Sequence, residues 1–311
     1  MIKRTLYFGN PAYLSRKNDQ LVIRLPEVEK NDTLPDMFKK EAQATIPLED
    51  IGIVILDEQR LVITQSLIDG LIENNVALIT CDKTHHPTGL MLNLAGNSLQ
   101  SARFKAQLEA SQPLTKQIWQ QTIKAKITNQ ALLLSRIGRE SGNLRKWASD
   151  VKSGDSENLE ARAAAYYWKT VFHEIPEFRR EREGIPPNNL LNYAYAILRA
   201  IVARSLVGSG LLPILGVHHR NQYNHYCLAD DIMEPYRPFA DALVIELIRN
   251  GEDYKELSTS IKKQLLSLPT VDTMIDGERS PLMIATQRTT ASLAKCFEGW
   301  SKKVIYPELP S

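Results

Sequence analysis

The apolar pattern of this 311-residue chain changes period once. Before Asn93-Leu-Ala-Gly-Asn-Ser98, apolar residues come in short or alternating runs bounded by turn residues: Arg4 to Phe8, Gln20 to Leu25, Ile51 to Leu56 and Val76 to Thr80. Such runs fit strands, because side chains alternate between the two faces of a pleated chain. One helix interrupts them, over Ser66 to Asn74, where Leu67, Ile68, Leu71 and Ile72 share a face and Ser66 is placed to cap it. Beyond the small, polar stretch at 93–98, apolar residues recur at helical spacing. The spacing predicts helices over Ser101 to Ala110, Pro113 to Ser135, Leu159 to Phe172, Asn189 to Gly208, Pro238 to Arg249, Tyr254 to Ser267 and Pro281 to Trp300. The expected fold class is α+β: a small β-rich domain over residues 1–95, then a larger helical domain over residues 96–311, nearly all α. No repeat or low-complexity tract argues for a solenoid.

Composition excludes several classes. Apolar and charged shares of 43% and 24% are those of a globular chain with a real core. The richest apolar run, Ala196 to Val207, is broken by Arg199 and Arg204 and falls short of the roughly 20 residues a membrane span needs. The basic pair Lys3-Arg4 is followed by too short an apolar run for a secretion signal, so the expected location is the cytoplasm. Cys81, Cys227 and Cys296 are too few and too scattered for a disulfide framework or a thiolate zinc site. Charge is uneven: residues 1–60 carry nine basic against ten acidic residues, whereas 101–147 carry nine basic against two acidic, a local charge of +7. The second stretch suits a phosphate backbone.

The densest polar cluster runs from Gly216 to Pro238 and holds His218, His219, His225, Asp230, Asp231 and Glu234. On a helix, Asp231 or Asp230 would share a face with Glu234, the arrangement a hard divalent cation requires. Pro235 disfavours helical geometry at Glu234, so the helix either kinks or restarts there. A zinc set of His219, His225 and Cys227 matches no standard spacing. Earlier, in Asn158-Leu-Glu-Ala-Arg-Ala-Ala-Ala-Tyr-Tyr-Trp168, Glu160 opens a helix whose alanines permit close approach of a neighbour. Alone, a glutamate in a first turn is an ordinary dipole partner.

Three ordered segments together, Asn158 to Trp168, Pro187-Asn-Asn-Leu-Leu-Asn-Tyr-Ala-Tyr-Ala-Ile-Leu198, and Gly216-Val-His-His219 with Leu228 to Pro238, resemble the signature of the universal CRISPR-associated adaptation integrase, most closely its type II form. The likeness spans the chain, since that family joins a β-rich domain to a helical one. The resemblance implies Glu160, His219 and Glu234 as the catalytic metal ligands and Asp231 as a supporting residue. A one-residue slip in the match would exchange His218 for His219.

The resemblance further implies a divalent-metal-dependent DNA endonuclease and integrase, in which the 3′-hydroxyl of a captured fragment attacks a phosphodiester at the edge of a CRISPR repeat. Mg²⁺ or Mn²⁺ held by two carboxylates and an imidazole suits that chemistry. Exchange of one phosphodiester for another needs no ATP, and no Gly-x-x-x-x-Gly-Lys loop occurs. Candidate DNA contacts are Arg136, Arg139, Arg145 and Lys146 in the basic stretch, and Arg220 and Arg237 beside the site. Implied partners are double-stranded DNA, a second copy through the β-rich domain, the small second universal adaptation protein and the RNA-guided effector nuclease. The competing reading is a DNA-binding scaffold without a working metal site.

Overall fold

A computed structural model of the chain describes residues 3–26 and 43–310. The chain divides into two compact units, Met1–Gly96 and Asn97–Ser311. The first is strand-rich. Its strands are β1 (Arg4–Phe8), β2 (Tyr13–Lys17), β3 (Gln20–Arg24), β4 (Ala44–Pro47), β5 (Ile51–Leu56), β6 (Val62–Ile63), β7 (Ala77–Cys81) and β8 (Pro87–Met91), with helix α1 (Gln65–Glu73) before β7. They form two four-stranded sheets, ordered β1-β5-β7-β8 and β4-β3-β2-β6. In the first, β1, β5 and β7 run parallel. That explains the unbroken apolar run in β5, buried from Ile51 to Ile55 as a central parallel strand must be. Asn18 and Asp19 both take positive φ and turn β2 into β3. Between the sheets' apolar faces lie Leu14, Leu21, Leu48, Val54, Leu67 and Leu78.

The four expected strands are present, and α1 begins one residue before Ser66, with Thr64 at the cap position. Strands β2, β4, β6 and β8 add to them; these are short and half-exposed, and their apolar alternation is too brief to stand out.

The second unit is helical: α2 (Gln100–Leu108), α3 (Gln112–Arg136), α4 (Gly142–Asp150), α5 (Leu159–Val171), α6 (Asn188–Gly208), α7 (Cys227–Met233), α8 (Arg237–Arg249), α9 (Thr259–Leu265) and α10 (Leu282–Phe297). A hairpin of β9 (Asp272–Ile275) and β10 (Glu278–Pro281) interrupts them, turned by Asp276-Gly277 with positive φ at both residues. The expectation of Tyr254 to Ser267 shortens to α9, because Ser258 Oγ accepts the Ile261 N–H and starts the helix there. Helix α6 has the length and hydropathy of a membrane span, but 83% of that window is buried by protein. Buried along most of its length, it is the helix around which the unit packs.

Two polar ties hold the helices in register. Asn129 of α3 is fully buried; its Nδ2 donates to the carbonyls of Pro235 (2.8 Å) and Pro307 (3.0 Å), and its Oδ1 accepts from the Leu309 N–H (2.9 Å). Asp241 of α8 accepts from Tyr167 of α5 (2.7 Å) and Tyr195 of α6 (2.6 Å). Burial pushes the Asp241 carboxyl up, the two hydroxyls oppose it, and the balance lies at about 6.

Asn129→Leu strands two carbonyls and one N–H, so urea unfolding should show a loss of about 2–4 kcal/mol. For Asp241 the folded pKa lies above the unfolded one, so its stabilising contribution is present at acid pH and lost as pH rises through about 6. Relative to Asp241→Asn, the wild type should therefore lose about 2 kcal/mol between about pH 4.5 and about pH 7.5 in the same unfolding measurement.

Candidate active site

Three elements of the helical unit converge on a buried ammonium. The first is the start of α5. Asp155 accepts the N–H groups of Leu159 (2.9 Å) and Glu160 (3.0 Å), and Asn158 takes a left-handed conformation that turns the chain into the helix. Glu160 is thereby fixed in the first turn.

The second is the break at Pro235. Helix α7 ends at Met233, a single 3₁₀ turn covers Glu234–Tyr236, and α8 starts at Arg237. The restart places Glu234 inward, its side chain 7% exposed, with the Pro235 carbonyl pinned by Asn129. The third is α3, whose buried stripe carries Trp119, Thr122, Lys126 and Asn129.

Lys126 Nζ lies 2.8 Å from Glu160 Oε1 and 2.6 Å from Glu234 Oε2. Arg237 Nε lies 2.8 Å from the other oxygen of Glu234, and its guanidinium stacks 4.5 Å from the Tyr195 ring. Burial alone would raise the Glu234 carboxyl; the charges of Arg237 and Lys126 outweigh it and hold the group at about 2. Burial likewise works against the Lys126 charge, and the two glutamates reverse it.

The adjacent pair Asp230 and Asp231 divides its work. Asp230 points away, held by Arg199 (2.6 Å) and by Asn224 (2.7 Å). Asp231 is fully buried: Oδ2 accepts the N–H groups of Val217 (2.7 Å) and His218 (2.9 Å), and Oδ1 meets His219 Nδ1 at 2.5 Å. Gly216 makes this loop possible, since a Cβ there would stand 2.3 Å from the His219 carbonyl oxygen and 3.0 Å from Asp231 Oδ2. The bond to Asp231 raises the His219 pKa, partly offset by burial, and Glu234 and Glu160 are close enough to add to it. With Nδ1 committed to Asp231, Nε2 is the ring nitrogen left for another partner. The two histidines thus separate: His218 stacks flat on Trp119 (centroids 4.0 Å, 1° between planes), while His219 meets the same ring edge-on (5.7 Å).

The structure therefore brings Glu160 and Glu234 together and gives Asp231 the task of orienting His219. Among the described residues no three His, Cys, Asp or Glu donors close around one point. An ammonium stands between the carboxylates instead. The donor chemistry nonetheless fits a hard divalent cation: two carboxylates already converge on one positive charge, and an imidazole beside them has its free nitrogen defined. Cys227 donates to the carbonyls of Asn221 and Asn224 and serves the loop.

The candidate DNA residues fall into two groups. Arg136, Arg145, Lys146 and Arg220 are exposed, Arg145 bonding Ser135 Oγ at 3.1 Å, and Arg139 is half-buried and pairs with Glu174 at 2.5 Å. Arg237 is engaged by Glu234. Within the basic stretch Arg103 pairs with Glu298 and Lys126 is internal, so neither belongs to an open surface. Lys126, Trp119 and Asn129 are site residues that sequence reasoning missed. Their signal was positional: a lysine and an asparagine in register with the apolar stripe of Ile118, Ile123 and Leu133.

The profile of the family described as CRISPR associated protein Cas1 matches residues 6–268. A CRISPR-associated endonuclease Cas1 from Neisseria meningitidis serogroup C is 36% identical, over 99% of this chain and 97% of its own length. Among solved structures, a casposase bound to an integration product superposes with a TM-score of 0.75 at 20% identity, covering 98% of this chain and 92% of that one. A chain of a Cas6-RT-Cas1–Cas2 complex does so with a TM-score of 0.72 at 20% identity, covering 99% of this chain and 36% of that one. The structural likenesses speak for the fold, and the sequence matches go further: this chain belongs to the CRISPR associated protein Cas1 family.

Proposed function

We propose that this chain is a divalent-metal-dependent DNA integrase and endonuclease that inserts captured DNA into a CRISPR array. The observation that carries the reading is the convergence of Glu160 and Glu234 on one positive charge beside an imidazole, His219, whose orientation Asp231 sets. The endonuclease name of the Neisseria relative and the integration product held by the casposase support it. Glu160, His219 and Glu234 would hold Mg²⁺ or Mn²⁺, which when bound supplies a Lewis acid for the phosphoryl oxygens. In strand transfer a P–O bond forms to the fragment's 3′ oxygen as one to the repeat strand breaks, and the leaving oxygen takes up a proton.

The chain's own residues prepare that exchange. Asp231 holds the His219 ring, Arg237 and Asn129 hold Glu234, and Asp155 holds Glu160 at its helix start. Arg136, Arg145, Lys146 and Arg220 offer exposed charge for phosphates, and Arg139 joins them if Glu174 yields it. The same reading assigns the protein to the cytoplasm, as a homodimer through the strand-rich unit. Its proposed partners are the small second adaptation protein, in keeping with the Cas1–Cas2 assembly of the structural neighbour, and the RNA-guided effector nuclease.

The test is resolution of a branched DNA that mimics a half-integrated product, by purified protein with Mn²⁺ or Mg²⁺. Wild type should be active, and Glu160→Gln should fall by more than about a hundredfold with DNA affinity retained. Asp231→Asn should lose about 10- to 100-fold, because it misdirects rather than removes a ligand. Equal activity of Glu160→Gln would remove that residue from the mechanism. Inactive wild type, even with the second adaptation protein supplied, would favour a scaffold.

A further inference from the structure

We infer that Lys126 is a built-in counter-cation that a divalent metal ion must displace, and that it thereby sets how tightly the site takes metal. The inference rests on the metal-site reading above. Lys126 Nζ occupies the space between Glu160 Oε1 and Glu234 Oε2, at 2.8 and 2.6 Å, and so uses the oxygens that a shared cation would use. Charge balance points the same way. Glu160 and Glu234 are matched by Lys126 and Arg237, so the charges of this group of four balance as it stands. A dication added to a neutral cluster meets the repulsion of both side-chain cations; with Lys126 withdrawn it meets a net negative charge.

Of the two cations, Lys126 is the one built to leave. Arg237 holds the opposite oxygen of Glu234 and is stacked on Tyr195, which fixes its plane. Lys126 presents a point charge on a flexible four-carbon stem, with donors that can rotate to new acceptors. Its place on the buried stripe of α3 also sets its ammonium within reach of both carboxylates at once.

The test is Mn²⁺ binding to the full-length protein by titration calorimetry, with thermal unfolding measured in parallel. Lys126→Met should melt at a lower temperature without metal, bind Mn²⁺ at least about tenfold more tightly than wild type, and recover its stability on binding. Lys126→Arg, whose planar fork grips both carboxylates, should bind Mn²⁺ several-fold more weakly. Equal affinity in all three proteins would overturn the inference and leave the metal site standing. Should Lys126→Met fail to fold, wild type against Lys126→Arg decides, and equal affinity again overturns it. No Mn²⁺ binding by any of them, or binding that Glu160→Gln leaves unchanged, would instead overturn the metal-site reading and this inference with it.

Discussion

Two glutamates that enter the interior from different helices share one buried ammonium, and much of the helical unit is arranged to keep them there. Carboxylates taken out of water are tolerable only with opposite charge at close range. Breaking such a pair by removing one partner typically costs about 3–5 kcal/mol. Lys126 and Arg237 supply that charge, which is why Glu234 stays ionised despite its burial. The same requirement makes the site a cation site before any metal is considered: a positive charge belongs between Glu160 and Glu234 on electrostatic grounds alone.

The geometry rests on one long helix. Along the buried stripe of α3, Trp119 backs both histidines, Lys126 bridges the carboxylates, and Asn129 pins the turn that carries Glu234. The other groups arrive at places where regular structure stops. Glu160 stands in a first turn capped by Asp155, and Glu234 on a 3₁₀ step forced by Pro235. His219 follows a glycine at which no other side chain fits. Breaks in helices aim side chains off the regular path, and a rigid helix behind them keeps that aim constant.

Much of this was legible in the residues. The change of hydrophobic period placed a strand-rich region before a helical one, and the apolar run of β5 and the helical spacing of α3 and α6 are strong local signals. Pro235 announced a broken helix at Glu234. The β9–β10 hairpin was missed although its Asp276-Gly277 turn is a recognised hairpin signal, because two four-residue strands carry too little alternation. The basic stretch was legible only as a sum: charge counted along sequence does not distinguish a lysine on the solvent face of α3 from Lys126 on its buried face. The division of labour between Asp230 and Asp231 was equally hidden. Adjacent carboxylates on a helix point apart, but only the fold decides which meets Arg199 and which meets His219.

Glu160, Glu234 and His219 are proposed to hold one divalent cation, at the position between the two carboxylates that Lys126 now fills. Anomalous diffraction from crystals soaked in Mn²⁺ tests it most directly. A single strong peak is expected between the carboxylates of Glu160 and Glu234, within bonding distance of His219 Nε2, with the Lys126 ammonium moved off the bridge. A peak elsewhere, or an undisturbed Lys126 bridge at saturating Mn²⁺, would contradict it.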